Sequence, residues 1–173
     1  MAYYYYLISS LPSIKFDYPL PISYAQFLNQ CEKEVSDSIL IKLKHLTLEA
    51  NDDGIPLEWS VFYSNLYNEL NYQRALKLNR PQLYKKQDSL EIVTIVNQVL
   101  SAKNPLDAEI ILLKSQFEFL DKIISTHYFD LQVLMVYAIK IKLKERYDLF
   151  NKESGKKEFK NLFMKINNIM QEL

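Results

Sequence analysis

Glycine is nearly missing from this 173-residue chain, which has only two, and a single cysteine stands at position 31. So few glycines, with long gaps between the six prolines, exclude a turn-rich β fold and favour helices. One cysteine cannot form an internal disulfide, so Cys31 suits a reducing cytosol. There is no net charge to draw a polyanion, because 21 basic residues balance 21 acidic ones, and nucleic acid is not an expected partner. No apolar run approaches the roughly 20 residues that span a bilayer. The longest candidate, "LQVLMVYAI" at 131–139, is closed off by Asp130 and Lys140. The N-terminus lacks the basic region of a signal peptide. The expected location is therefore cytoplasmic, with no direct membrane insertion and any membrane link made through a partner.

Catalytic signatures are missing as well. His45 and His127 are the only histidines, and with Cys31 they lack the spacing of zinc ligands. "SGKKEF" lacks the first glycine and the hydroxyl residue of a phosphate loop. No G-x-S-x-G or H-E-x-x-H occurs. The expectation is a protein with no catalytic residues, no metal, no cofactor and no enzymatic activity.

What is present is hydrophobic and aromatic: 49% of the residues are apolar, with 13 tyrosines and 9 phenylalanines. Helix starts are well marked. Ser23 with Gln26 forms a capping box, and Ile22 and Phe27 are spaced as a staple. Asn104 precedes Pro105 at a first helical position, and Asp130 stands before the run from Leu131. Asp88 with Glu91 repeats the pattern more weakly. Leu106, Ile110, Leu113, Phe117, Leu120 and Ile124 form one apolar stripe. Pro56 opens a long helix through Trp59, Phe62, Leu66 and Leu70, which stops near Asn79 before Pro81. Gly155 reads as a break ahead of a last amphipathic helix carrying Phe159, Leu162, Phe163, Ile166 and Met170.

The predicted fold is an all-α, antiparallel helical bundle of about six to eight helices, with breaks near 49–56, 80–88, 101–104, 126–130 and 151–155. It reads as one domain, 1–173, with 80–88 as the place where two lobes would divide. The predicted core includes Trp59, Phe62, Leu66, Leu113, Phe117, Leu120, Leu134, Ala138 and Phe159.

Three features raise the question of a binding surface. The chain opens "MAYYYY". Tyrosine favours strands, but no second strand pattern exists, so a short helix or turn is expected. The first 14 residues contain no lysine or arginine to accompany a base-stacking platform. Arg74 lies on one helical face with Asn71, and Arg146 is similarly placed. Each reads either as a snorkelling surface arginine or as half of a buried pair. The expectation is contact with carboxylate or carbonyl oxygens inside the fold. Finally, 140–165 contains nine basic and four acidic residues, against two and five in 104–130. These are solvated faces of opposite sign or a polar docking surface.

Taken in order, "YYYLISSLP", "PISYAQFLNQC", "EWSVFYSNLYNELNYQRALKL", "NPLDAE" and "HYFDLQVLMVYAIKIKLKERYDLFNKESGKKEF" resemble an uncharacterised family. That family is encoded beside the subunits of bacterial V-type (archaeal-like) ATPases. The resemblance covers most of the chain. It implies that the tyrosine opening belongs to a shared N-terminal pattern. It also implies that Trp59, Asn71, Arg74, Asn104, Pro105, Glu109, Phe129, Asp130, Tyr137, Arg146 and Gly155 match recurrent positions. The family is in turn remotely similar to the all-helical coupling subunit of V-type ATPases, which joins the central stalk to the membrane rotor ring. The function this implies is a non-catalytic accessory or stalk subunit. Its partners would be V-type ATPase subunits on the stalk or ring side, which would make it peripheral at the inner membrane. A transient assembly factor or regulator of the same ATPase, and an unrelated helical binding module, are the alternatives. The candidate interaction residues are Tyr4, Tyr5, Arg74, Lys156, Lys157 and Lys160.

Overall fold

A computed structural model describes residues 4–48, 56–80, 83–150 and 152–171; side chains at 152–154 and 167–171 lie outside the description. Among the described residues eight helices follow in order: α1 (Tyr5–Ser10), α2 (Tyr24–Cys31), α3 (Asp37–His45), α4 (Leu57–Lys77), α5 (Leu90–Leu100), α6 (Pro105–Ile124), α7 (Leu131–Asp148) and α8 (Lys152–Gln171). No strand occurs among the described residues. The expected loop at 49–56 lies almost wholly outside them, as do Pro81 and Gln82.

The caps account for the helix starts. Ser23 Oγ accepts the Gln26 N–H while Gln26 Oε1 accepts the Ser23 N–H, the reciprocal pair of a capping box. Asn104 Oδ1 accepts the Asp107 N–H at 2.8 Å, and Pro105 occupies the first turn of α6. Asp130 Oδ1 accepts the Val133 N–H at 3.1 Å. One expectation fails. The N-cap of α5 is Ser89, which makes no side-chain bond, and Glu91 reaches across to Lys122 of α6 instead of back to Asp88. Helix α4 is closed off just past its C-cap Leu78 by Asn79, whose φ of 56° is left-handed. The Asn79 N–H bonds Leu76 O and the Arg80 N–H bonds Ala75 O, a Schellman ending that asparagine tolerates better than most residues.

Cross-helix contacts set the directions. Phe62 stacks on Phe119 at 3.9 Å, while Leu70 and Leu112 line one depression toward the other end, so α4 and α6 are antiparallel. The Glu91–Lys122 pair, with Val99 and Leu112 lining that same depression, makes α5 antiparallel to α6 too. Helices α4 and α5 therefore run parallel, and the connector 78–89 must return along α4. It is tethered midway by Glu69, a completely buried carboxylate whose Oε2 accepts the Gln87 backbone N–H at 2.9 Å. Gln73 Nε2 donates to its other oxygen at 2.8 Å.

Helix α7 is the central element, buried on nearly every face from Val133 to Leu143. It packs on α6 and on α2, and holds the N-terminal segment through the Tyr137 hydroxyl, which donates to Pro12 O at 2.8 Å. One contiguous apolar cluster extends from Leu7 to Leu143 and includes residues on both sides of 80–88. Trp59, Phe62, Leu66, Leu113, Phe117, Leu120, Leu134 and Ala138 are all in it. Phe159 is not: its side chain is 73% exposed, and among the described residues none of α8 joins the apolar cluster. Nor does Gly155 break the chain. Helix α7 stops at Asp148, with Leu149 and Phe150 outside any helix, and Gly155 lies inside α8 with open space where a Cβ would be.

Burial around α7 also fixes three protons. Burial pushes the Cys31 thiol up to about 12 from its ordinary 9.0, and the Tyr137 hydroxyl up to about 12 from 10.0. Tyr24 is raised further, first by burial and then by the negative charge that Cys31 and Glu145 would add. Its hydroxyl donates to Leu43 O, and its N–H donates to Glu145 Oε1 at 2.9 Å, tying α2 to α3 and α7. All three pKa values are higher folded than unfolded, so the folded state holds these protons more tightly. The stability they contribute is complete below about pH 9 and is lost as the pH rises toward 12. Urea midpoints should therefore be level from pH 7 to about pH 9 and fall above it. Cys31 should react with a thiol reagent at pH 8 only after denaturant is added. A flat midpoint through pH 11 would contradict the first expectation, and prompt native labelling the second.

Candidate docking surface

Helix α1 has six residues, too few to be stable alone, and is held in place by the α6–α7 corner. The Tyr4 N–H donates to Phe129 O at 2.7 Å, and the Tyr5 ring lies 4.7 Å from the Phe129 ring. Leu7 is buried, with Tyr4 and Ile8 packed beside it. The expected short helix is present, but packing claims only part of the tyrosine run. Tyr5 is half exposed, and Tyr6 is 88% exposed.

Phe129 has φ of 54°, an uncommon and costly conformation for an aromatic residue. Its neighbours over-determine it. Its carbonyl is fixed by Tyr4, and the next residue, Asp130, caps α7 with one oxygen and holds His127 Nδ1 at 2.7 Å with the other. Tyr128, beside it, is 73% exposed. Tyr5, Tyr6 and Tyr128 thus present three outward rings on a backbone pinned to the N-terminus of the central helix. A shallow groove runs from Tyr6 and Ser10 to Asn29, Gln30, Lys33 and Glu34 on and just after α2. Aromatic rings beside amides and single charges of each sign suit a protein contact.

The other candidates lie elsewhere. Arg74 is exposed near the end of α4, over a depression shared with Asn104, Pro105 and Glu109. It makes none of the expected carboxylate or carbonyl contacts among the described residues. Arg146 does make one, an ion pair with Glu109 of α6. Lys156, Lys157 and Lys160 are exposed on α8.

The two oppositely charged segments turn out to face each other within the fold. Lys140 pairs with Asp121 and Arg146 with Glu109, so basic α7 is partly neutralised by acidic α6. Lys140 and Lys144 are buried, so neither belongs to a solvated face or to a docking surface. Their stems run through the core to ammonium groups near the rings of Phe117, 4.7 Å from Lys140, and Tyr147, 4.3 Å from Lys144. Of the basic segment, the α8 lysines remain open to a partner.

Among the described residues no three His, Cys, Asp or Glu side chains converge as a metal site would require, and no helix is long and apolar enough to cross a membrane. Comparison with family models, with curated proteins and with solved structures gives no match.

Proposed function

We propose that this protein is a non-catalytic accessory subunit that works by docking, with the tyrosine edge of α1 as its contact surface. The observation that carries the reading is the outward set of Tyr5, Tyr6 and Tyr128 on a strained, over-determined corner. Tyrosine supplies large contact area with little side-chain entropy to lose, and such residues dominate interface energetics. The resemblance of the "YYYLISSLP" and "HYFDLQVL" stretches supports V-type ATPase stalk subunits as the partners. Co-purification with tagged, detergent-free stalk subunits tests this. The wild-type chain should be retained. A Tyr5→Ala, Tyr6→Ala, Tyr128→Ala variant should bind at least about tenfold more weakly, given a cost of about 1–2 kcal/mol for each central aromatic residue lost. Absence of wild-type association, where the other subunits assemble, would sink the reading. Persistence in the assembled, membrane-bound enzyme distinguishes a permanent subunit from an assembly factor.

A further inference from the structure

Helix α8 presents an apolar face that the fold leaves uncovered. Phe159 is 73% exposed, Leu162 60%, Phe163 55% and Ile166 47%, and the Phe159 and Phe163 rings stack only on each other at 6.4 Å. At 100° per residue these four fall in one sector about 100° wide. Lys156 and Lys160 border it on one side and Lys165 on the other, with Lys157 opposite. Between Gly155 and Ile166 there are four lysines and one glutamate, Glu158. None of the four lysines makes an ion pair with another described residue. Just before the helix, Leu149 and Phe150 are exposed as well.

We infer that α8 is an interfacial helix that lies flat on an anionic lipid surface, with its phenylalanines in the headgroup boundary and its lysines on acidic headgroups. Charge complementarity selects this occupant. A second copy of α8 would bring the same excess of lysines against itself. An acidic protein groove would fit the lysines but would not by itself explain cations on both borders of the stripe. In the interface plane, flanking lysines reach back to the headgroups while their stems cover the acyl boundary. The short apolar runs that argue against a spanning helix say nothing against this geometry. A helix of this length standing alone in water is marginal, and Gly155 weakens it by about 1 kcal/mol relative to alanine, so covering the apolar stripe also stabilises it. The inference does not rest on the ATPase reading.

The test is flotation of the purified full chain with vesicles of about 30% phosphatidylglycerol in phosphatidylcholine, and with phosphatidylcholine alone, at about 0.1 M and 0.5 M salt. Binding is expected on the anionic vesicles only, with the helical circular-dichroism signal rising on binding and association falling at high salt. Reversing Lys156, Lys157 and Lys160 to glutamate should lower the partition coefficient more than about 100-fold, each surface lysine being worth roughly tenfold or less. Phe159→Ser with Phe163→Ser should also abolish flotation. Both variants should keep the wild-type melting temperature, since all the substituted side chains are exposed and outside the core cluster. Retention by tagged stalk subunits in the absence of lipid should be unchanged in the phenylalanine variant, which separates this inference from the docking surface. Absent or equal binding on the two vesicle types would overturn it. So would a dimer in light scattering that the phenylalanine pair dissociates, or loss of lipid-free stalk retention in the phenylalanine variant.

Discussion

Replacing Phe117 with alanine should lower the unfolding free energy by about 3–5 kcal/mol and the melting temperature by about 10 °C. The ring is buried in α6, with the edge of Phe16 at 5.7 Å on one side and the Lys140 ammonium 4.7 Å from its centroid on the other. Its removal leaves a cavity and breaks the contact between α6 and the segment following α1. It also strips the buried stem of Lys140 of its aromatic neighbour, leaving Asp121 as the partner. Trp59→Ala should fall in the same range, since Trp59 is completely buried. Phe159→Ala is the internal control and should change stability by less than about 0.5 kcal/mol, as expected of a surface site. Urea and thermal unfolding of the three variants would check this. A Phe117 variant within about 1 kcal/mol of wild type would show that the ring is not part of the core.

Glu69→Ala should cost about 2–4 kcal/mol, nearly as much as losing a core ring. The carboxylate is completely buried and serves two donors, the Gln73 amide and the Gln87 backbone N–H. Truncation leaves a cavity and two donors without acceptors in a place water cannot easily reach. Glu69→Gln keeps one carbonyl oxygen and should cost about 1 kcal/mol. The distinguishing readout is hydrogen exchange at the Gln87 amide. Protection should vanish in the alanine variant, persist in part in the glutamine variant, and track the connector's hold on α4. An unchanged Gln87 exchange rate in Glu69→Ala would show that the tether does not restrain the connector.

What is legible in the sequence and what is not divide by range. Ser23 with Gln26, Asn104 with Pro105, and Asp130 are interactions closed within three residues, so their chemistry and spacing are visible in one window. The stripe of α6 is equally local, and its buried part, Leu113, Phe117 and Leu120, follows from the spacing alone. Phe159 shows the limit of that reasoning. An amphipathic stripe says that a face is apolar, without saying what covers it. Arg146 stands out as needing a partner, but that the partner is Glu109, on the neighbouring helix, depends on the antiparallel docking of α6 and α7. Glu69, Lys140 and Lys144 escape notice because a charged residue on a helix reads as solvated until tertiary contacts bury it. The parallel course of α4 and α5 is hidden because it depends on where the connector at 78–89 goes. Of the candidate surface, the tyrosine run is conspicuous by composition. Its pinning by Phe129 relies on a left-handed phenylalanine that no propensity scale favours.

The bond from the Tyr137 hydroxyl to the Pro12 carbonyl, closed across 125 residues, carries a consequence for biosynthesis. On a ribosome the tyrosine-rich segment and α2 emerge well before α7, the helix that buries them. At about 5–20 residues per second, Leu7 and Phe27 wait roughly 6–25 s for their shelter. During that interval the nascent chain offers a run of aromatic and apolar side chains with Lys15 as its one basic side chain before α2, the kind of segment that ribosome-bound chaperones shield. A stop within α7 would therefore release a product whose first thirty or so residues never find their seat, and degradation would be its expected fate.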